Sequence, residues 1–331
     1  MNPDIAGLAC CPSCRADLAF EDQLRCLGCG ALFPVKDGIA RFISSQKHEN
    51  FAIQWKKFSD VQLDSRNGLS DSRDRLLFQS EMKPEDFRGK TILEVGCGAG
   101  RFTEILLSLG AKVVAVDYSA AVEACAASNQ AARAEGRLWN AQADAFALPF
   151  RPQAFDLVIG YGMLQHTGDA HRALLSLWEH VRPGGRLLVD RYQLSLRSAH
   201  PIKYLLRPLL KRLPALTVLA LAEWTCRSAI PIQRRLLRWT KGPGLRRYLG
   251  YFVARSPNSV YPINLELAGR LDSETAFRWS VMDTFDMWAP RYDCPQTFGS
   301  WQADLNSLAD GEMLVCKNGG QGNVGVVRRR S

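Results

Sequence analysis

No basic N-terminal stretch leads into an apolar segment, and the longest run of low charge, residues 213–222, falls far short of the roughly 20 residues that span a bilayer. These two absences argue against a secretory signal and a membrane span, and set the expectation of a cytoplasmic chain. Acid is almost missing from one segment. Residues 195–255 carry 13 Lys and Arg against a single carboxylate, Glu223, so this stretch holds +12 in a chain whose net charge is +9. Charge spread evenly over the surface is thereby excluded, and the basic character becomes a local feature that needs its own explanation. The 331 residues suffice for one full α/β domain with something small beside it.

What is present centres on Leu93-Glu94-Val95-Gly96-Cys97-Gly98-Ala99-Gly100. Residues 91–95 predict a short buried strand, the three glycines a tight turn, and residues 101–109 an amphipathic helix. Glycine lets a backbone approach a ligand with no Cβ in the way, and a helix start offers free N–H groups. Further on, residues 112–116 predict a second strand ending in Asp117, where an acid can accept both hydroxyls of a ribose. The spacing approaches the dinucleotide fingerprint, so a nicotinamide enzyme is an alternative. Against it, the last glycine interval holds one residue, Ala99, where the strict G-x-G-x-x-G has two.

LEVGCGAGRFT followed by VVAVDYS resembles the class I S-adenosylmethionine-dependent methyltransferases, and within them the type 11 group. The resemblance implies S-adenosylmethionine as cofactor, held by Glu94, Gly96, Cys97, Gly98, Gly100, Asp117, Tyr118 and Tyr161, with Glu94 near its amino-acid end. It implies an acid for the adenine amino group, which falls on Asp144, with Ala145 and Phe146 beside the ring. It also implies a helix that covers the cofactor, read here over 70–82, which makes Gln54, Trp55 and Arg73 secondary pocket candidates. Val-Arg-Pro-Gly-Gly at 181–185, before an apolar strand, is a further sign of the family.

Strands over 138–143, 155–160 and 186–189 continue the alternation. Tyr161-Gly162-Met163-Leu164-Gln165-His166-Thr167 follows the fourth strand, where ligands of such sheets bind. His166 is the candidate catalytic base, against the alternative of a structural or cofactor-side histidine, and Tyr161 and Gln165 are candidates to orient the acceptor. Residues 283–293 read as an aromatic and charged loop, a pocket wall in which Arg291 would bind an acidic group and Asp286 and Tyr292 a hydroxyl.

Four of the ten cysteines form C-x2-C…C-x2-C: Cys11, Cys14, Cys26 and Cys29. Two knuckles of this spacing complete a tetrahedral site for Zn(2+), and with four ligands the site is closed to catalysis. The segment, ending in Phe33-Pro34-Val35-Lys36-Asp37-Gly38-Ile39, resembles the zinc ribbon of the small activator subunits that partner tRNA and translation-factor methyltransferases. A structural cap is favoured here over direct substrate contact.

The expected fold is α/β: a Rossmann-like mixed seven-stranded sheet with helices on both faces, an N-terminal zinc ribbon and an inserted helical lid. The expected boundaries are 1–43 for the ribbon, 44–90 for linker and covering helices, 91–194 for the core, 195–270 for the basic amphipathic insertion and 271–331 for the rest of the core. The function read from these features is methyl transfer to an oxygen or nitrogen of a small-molecule, glycan-precursor or lipid-linked acceptor. Within 195–255, residues 202–206 and 233–239 read as short basic amphipathic helices, which suit a lid, a peripheral contact with the inner face of a membrane, or nucleic acid. The aliphatic content weighs against nucleic acid. An RNA methyltransferase gripping phosphate through ribbon and insertion is the competing enzyme. Its [ND]-P-P-[YF] signature is absent after the fourth strand, where Gly-Tyr-Gly-Met stands. A non-catalytic zinc-dependent activator or scaffold is the third reading. Oligomeric state is open.

Overall fold

Continuous apolar runs between glycine turns become the central parallel strands, because a strand buried on both faces has no polar face to alternate with. The computed structural model describes residues 7–20, 23–43, 49–194, 201–240, 257–319 and 322–331. The expectations for 195–200 and 241–256 in the basic insertion, and for Gly320 and Gln321 in the glycine-rich hairpin turn that the sequence predicts over 318–322, lie outside the described residues. The chain divides into two units, one of residues 1–48, 72–195 and 292–331 and the other of 49–71 and 196–291.

In the first unit, β1 (Leu18–Phe20), β2 (Leu24–Cys26) and β3 (Leu32–Phe33) form a small antiparallel sheet. The main sheet is made of β4 (Val35–Lys36), β5 (Ile39–Arg41), β6 (Thr91–Val95), β7 (Lys112–Asp117), β8 (Leu138–Gln142), β9 (Phe155–Gly160), β10 (Val181–Arg191), β11 (Gly311–Asn318) and β12 (Asn323–Arg329). Its order is β11-β12-β10-β9-β6-β7-β8-β5-β4. From β10 to β5 neighbouring strands run parallel, and β12 and β4 pair antiparallel at the two ends. This is the Rossmann-like mixed sheet expected, with a difference: two strands from the ribbon's tail extend seven strands to nine. Residues 182–185, where Arg-Pro-Gly-Gly predicts a turn, lie inside β10, where the register against β9 shifts between Val181 and Arg186.

Alternate residues of β6 divide between two cores. Leu93 and Val95 join Val114, Val116, Trp139 and Val158 on one face, and Ile92 joins Val113, Ala115, Leu138 and Ile159 on the other. The ribbon side is stitched to the connection after β8. Cys10 N–H donates to the Pro149 carbonyl at 2.9 Å, Arg151 N–H to that of Leu8 at 2.8 Å, and Arg15 reaches the carbonyls of Leu148 and Phe150, each at 3.1 Å.

The helices are α1 (Glu49–Lys57), α2 (Asp64–Asn67), α3 (Asp71–Ser80), α4 (Arg101–Ser108), α5 (Ala121–Ser128), α6 (Gln130–Ala134), α7 (Ala170–Glu179), α8 (Pro201–Leu210), α9 (Ala215–Trp239), α10 (Tyr261–Leu267), α11 (Ser273–Trp288) and α12 (Phe298–Asn306). Residues 120–135, whose alanine content predicts one helix, form two, broken at Asn129, whose side chain turns back to the Cys125 carbonyl at 2.9 Å.

The second unit is helical and has its own core, in which Phe58, Val218, Ala222, Ile230, Ile263 and Phe285 meet. Two expectations are corrected here. Residues 283–288, read as loop, complete α11. Asp272 caps that helix by accepting from Thr275 N–H, and Val281, Met282, Phe285 and Trp288 make an inward stripe at helical spacing. The insertion's second helix is also not short: α9 is 25 residues long, running through Pro231 on an exposed face. By length and composition α9 is long and apolar enough to cross a membrane, which the run of low charge did not anticipate because Glu223 and Arg227 interrupt it.

Candidate active site

The carboxyl ends of β9, β6, β7 and β8 lie side by side, with Glu94 opposite Ile159, Val95 opposite Val116 and Asp117 opposite Gln142. This register brings the expected cofactor residues to one edge of the sheet. Gly96 and Gly100 have φ of +79° and +94°, where a side chain would strain the backbone. A Cβ on Gly96 would stand 2.6 Å from the Met163 Cβ, and one on Gly100 3.0 Å from the Cys125 Sγ. Both Gly96 and Cys97 donate from N–H to the Val116 carbonyl, at 2.7 and 3.0 Å. Cys97 itself is buried.

Asp117 is already oriented. One carboxylate oxygen accepts from Gly98 N–H at 2.9 Å, and the other from Ser119 N–H and Oγ at 2.8 and 2.7 Å. Asp144 accepts from Phe146 N–H at 2.9 Å, which tightens the turn after β8. Ala145 is buried, and the Arg172 guanidinium lies over the Phe146 ring at 4.9 Å. Tyr118 presents its carbonyl to the Gln142 amide at 2.9 Å.

Glu94 points into the sheet face that α4 covers. It is buried, accepts from Thr103 Oγ at 2.5 Å, and burial, reinforced by the charge of Asp117, pushes its pKa up to about 8. Thr103 continues to the Cys125 Sγ at 3.4 Å, and Asn140 reaches the same sulfur at 3.5 Å. Thr103, Cys125 and Asn140 were not anticipated; a lone threonine on the apolar side of α4 was the available signal.

Tyr161 follows β9. Its hydroxyl is buried without a hydrogen-bond partner among the described residues, and burial pushes its pKa up. Its ring meets Phe102 edge-on at 5.1 Å and the Arg75 guanidinium at 5.6 Å. Arg75 pairs with Asp190 at the end of β10, whose other oxygen accepts from Gly162 N–H at 2.6 Å. This pair, with Asp190 buried and Arg75 half-buried, was missed in the sequence, where Arg73 was singled out on the same helix.

Gln165 is fully buried, and neither its amide oxygen nor its amide nitrogen finds a partner among the described residues. Its backbone carbonyl accepts from Cys294 N–H at 3.0 Å. His166 stands on the same 3-10 turn, with Nδ1 3.3 Å from the Tyr292 carbonyl and its ring edge-on to Tyr192. Tyr292 thus joins His166 and Gln165. Asp286, on α11, and Arg291 belong to the second unit, as do Gln54 and Trp55 on α1, where Trp55 packs on that unit's core.

The ligand atoms of Cys11, Cys14, Cys26 and Cys29 all lie within 4.8 Å of one another, with sulfur separations of 3.7 Å for Cys11–Cys29 and 3.3 Å for Cys14–Cys26. A tetrahedron with metal–sulfur bonds of about 2.3 Å has edges of about 3.8 Å, so the four thiols fit one ion. The N–H groups of Cys29 and Gly28 point at the Cys26 sulfur, favour its thiolate and lower its pKa to about 6.

Comparison with known proteins agrees with this geometry. Residues 93–189 match a family described as "Methyltransferase domain". The chain is 32% identical over 126 residues to a demethylmenaquinone methyltransferase of Thermobifida fusca, covering 38% of this chain and 53% of that one. It is 35% identical over 120 residues to the mitochondrial ubiquinone biosynthesis O-methyltransferase of Schizosaccharomyces pombe, covering 35% and 43%. The chain therefore spans about half the length of the curated relatives it matches. Among solved structures, the phosphoethanolamine N-methyltransferase 1 of Haemonchus contortus, in complex with phosphoethanolamine and S-adenosylhomocysteine, is 20% identical with a TM-score of 0.36, covering 46% of this chain and 34% of that one.

Proposed function

We propose that this chain is an S-adenosylmethionine-dependent methyltransferase acting on an oxygen or nitrogen of a small-molecule, glycan-precursor or lipid-linked acceptor. The observation that carries this reading is the Gly96–Gly100 loop, whose Gly98 N–H holds Asp117 at the edge of two adjacent parallel strands. The names of the two relatives above support a lipid-linked acceptor.

S-adenosylmethionine, when bound, supplies a methyl group already activated on a sulfonium. The chain's task is then alignment and exclusion of water, which supply much of a transfer rate. In this reading Asp117, oriented by Gly98 and Ser119, accepts the ribose hydroxyls. Asp144, Ala145 and Phe146 border the adenine, and Glu94, with Cys97 and Tyr118 nearby, borders the amino-acid end. The Tyr161 hydroxyl and Gln165 amide, without hydrogen-bond partners among the described residues, offer donors and acceptors to what binds there. A proton on His166 Nδ1 donates to the Tyr292 carbonyl, and in that tautomer Nε2 is the ring nitrogen that takes the acceptor's proton. His166→Asn is expected to lower kcat with cofactor affinity kept; an unchanged kcat across the pH range would remove the base assignment. Tyr292, in the same unit as His166, remains a candidate for acceptor contact. Zinc is the ion proposed for the four thiols, as a structural element.

The test is transfer of labelled methyl from S-adenosylmethionine into host extract, followed by fractionation. Label in an organic-extractable or glycan fraction supports the acceptor class. Label released by ribonuclease overturns that class in favour of RNA. Cofactor binding with no transfer to any fraction overturns the enzyme reading in favour of a scaffold.

A further inference from the structure

Helix α8 is inverted for a helix in water. Its cations Lys203 and Arg207 are buried, with Arg207 donating to the carbonyls of Pro290 at 2.6 Å and Met287 at 3.4 Å. Most of its described large apolar residues face outward: Tyr204, Leu205, Leu206 and Leu209 are exposed, Leu205 by 75% and Leu209 by 67%, while Leu210 packs partly on the unit's core. On α9 the inner face is given to the core of the second unit through Val218, Leu219, Ala222, Cys226 and Ile230, while Leu216, Leu221, Trp224, Ile232 and Trp239 stay exposed, Trp224 by 67%. Exposed Lys211, Arg212, Arg227, Arg235 and Arg238 stand among these apolar groups. Across residues 201–240 there are eight cations and one acid, Glu223, which is paired with both Lys57 and Arg227.

We infer that this face of the second unit docks on an anionic lipid surface, with α8 and α9 lying in the plane of the interface. The occupant must be apolar and negative together. A bilayer surface with acidic headgroups offers acyl chains to the leucines and tryptophans and phosphates to the arginines. A second copy of this chain would bring the same positive face against itself, and a phosphate backbone would leave the leucines uncovered. Spanning is disfavoured although α9 is long enough. Crossing would strip Val218, Ala222 and Ile230 from the unit's core and Gln233 from Asn258, to which it donates at 2.8 Å. A helix of this length lying flat covers about 37 Å of membrane surface. The inference is independent of the catalytic reading, since it rests on the second unit alone.

The test is co-sedimentation of the full chain with vesicles of phosphatidylcholine and phosphatidylglycerol, beside vesicles of phosphatidylcholine alone, with tryptophan emission followed in parallel. Binding to the anionic vesicles with a blue shift is expected, falling as salt screens the arginines. Leu205→Glu and Trp224→Glu, on different helices and both outside the core, are each expected to weaken binding about tenfold without moving the melting transition. No binding to anionic vesicles overturns the inference, as does binding that both variants leave unchanged. A concentration-dependent dimer that the variants dissociate, with vesicle binding unaffected, also overturns it and assigns the face to a second copy.

Discussion

Glu94 lets a buried charge be measured without touching the ligand. Its carboxyl ordinarily titrates at 4.5, and burial lifts it to about 8. Between those values the unfolded chain has lost this proton and the native chain has kept it. Stability is therefore full below 4.5 and declines as pH rises, by about 1.4 kcal/mol per unit. From about pH 5 to about pH 8 the group withdraws about 4 kcal/mol. Glu94→Gln keeps an oxygen to accept from Thr103 Oγ and has no proton to lose. The variant should match its parent near pH 5 and exceed it by about 4 kcal/mol near pH 8, read as the difference between urea unfolding curves across the pH series. Parallel curves, with the same difference at every pH, would refute the reasoning and mean that the native carboxyl ionises with an adequate donor. A second consequence links this group to binding. A cationic ligand beside Glu94 favours its carboxylate, so binding at neutral pH should release a proton, seen by calorimetry in buffers of different ionisation enthalpy.

Asp117→Ala removes the acceptor of Gly98 N–H and both Ser119 donors, and should weaken S-adenosylmethionine by at least about 2 kcal/mol in a calorimetric titration, an unchanged affinity counting against the site. Asp190→Ala removes the carboxylate that Arg75 and the Gly162 N–H share and should cost about 1.5–3 kcal/mol in an unfolding titration; Arg75→Met combined with Asp190→Leu should restore most of it, and a negligible cost for the single change would mean that the remaining partners already serve the guanidinium. Cys26→Ser should lower bound zinc, measured by elemental analysis, and soften the thermal transition, whereas full metal content would show that the other thiols suffice.

The glycine loop, Asp117 and the four thiols were legible because each is local: a turn, a strand end, two knuckles. Strands β6, β7 and β9 were legible because their apolar runs are continuous. What escaped was long-range or diluted. Arg75 meets Asp190 across 115 positions, and no periodicity encodes such a pair. In α11 the charges of Asp283 and Asp286 masked the stripe of Met282, Phe285 and Trp288, so a helix read as loop. Pro231 in the sequence predicts a break in the insertion's second helix, yet in α9 it sits on the exposed side, where a missing N–H costs least. The inverted face of α8 was invisible to composition, because a wheel of leucines and cations does not say which side is turned to water.

The pairing of β5 with β8 gives the ribbon a duty unrelated to metal. Strand β8 is buried at all five positions, and β5 covers its outer edge, joined by Phe42 N–H to the Gln142 carbonyl at 2.8 Å and by Arg41 to the Gln142 side chain at 2.9 Å. Strand β4 then ends the sheet after two residues, with Lys36 exposed. A bare β8 would present unpaired backbone groups beside Trp139 and Ala141, the kind of border on which chains add to one another. The tail of the ribbon thus works as a selvedge, and a chain trimmed of its first 43 residues is expected to be lost to aggregation before its chemistry is ever tested.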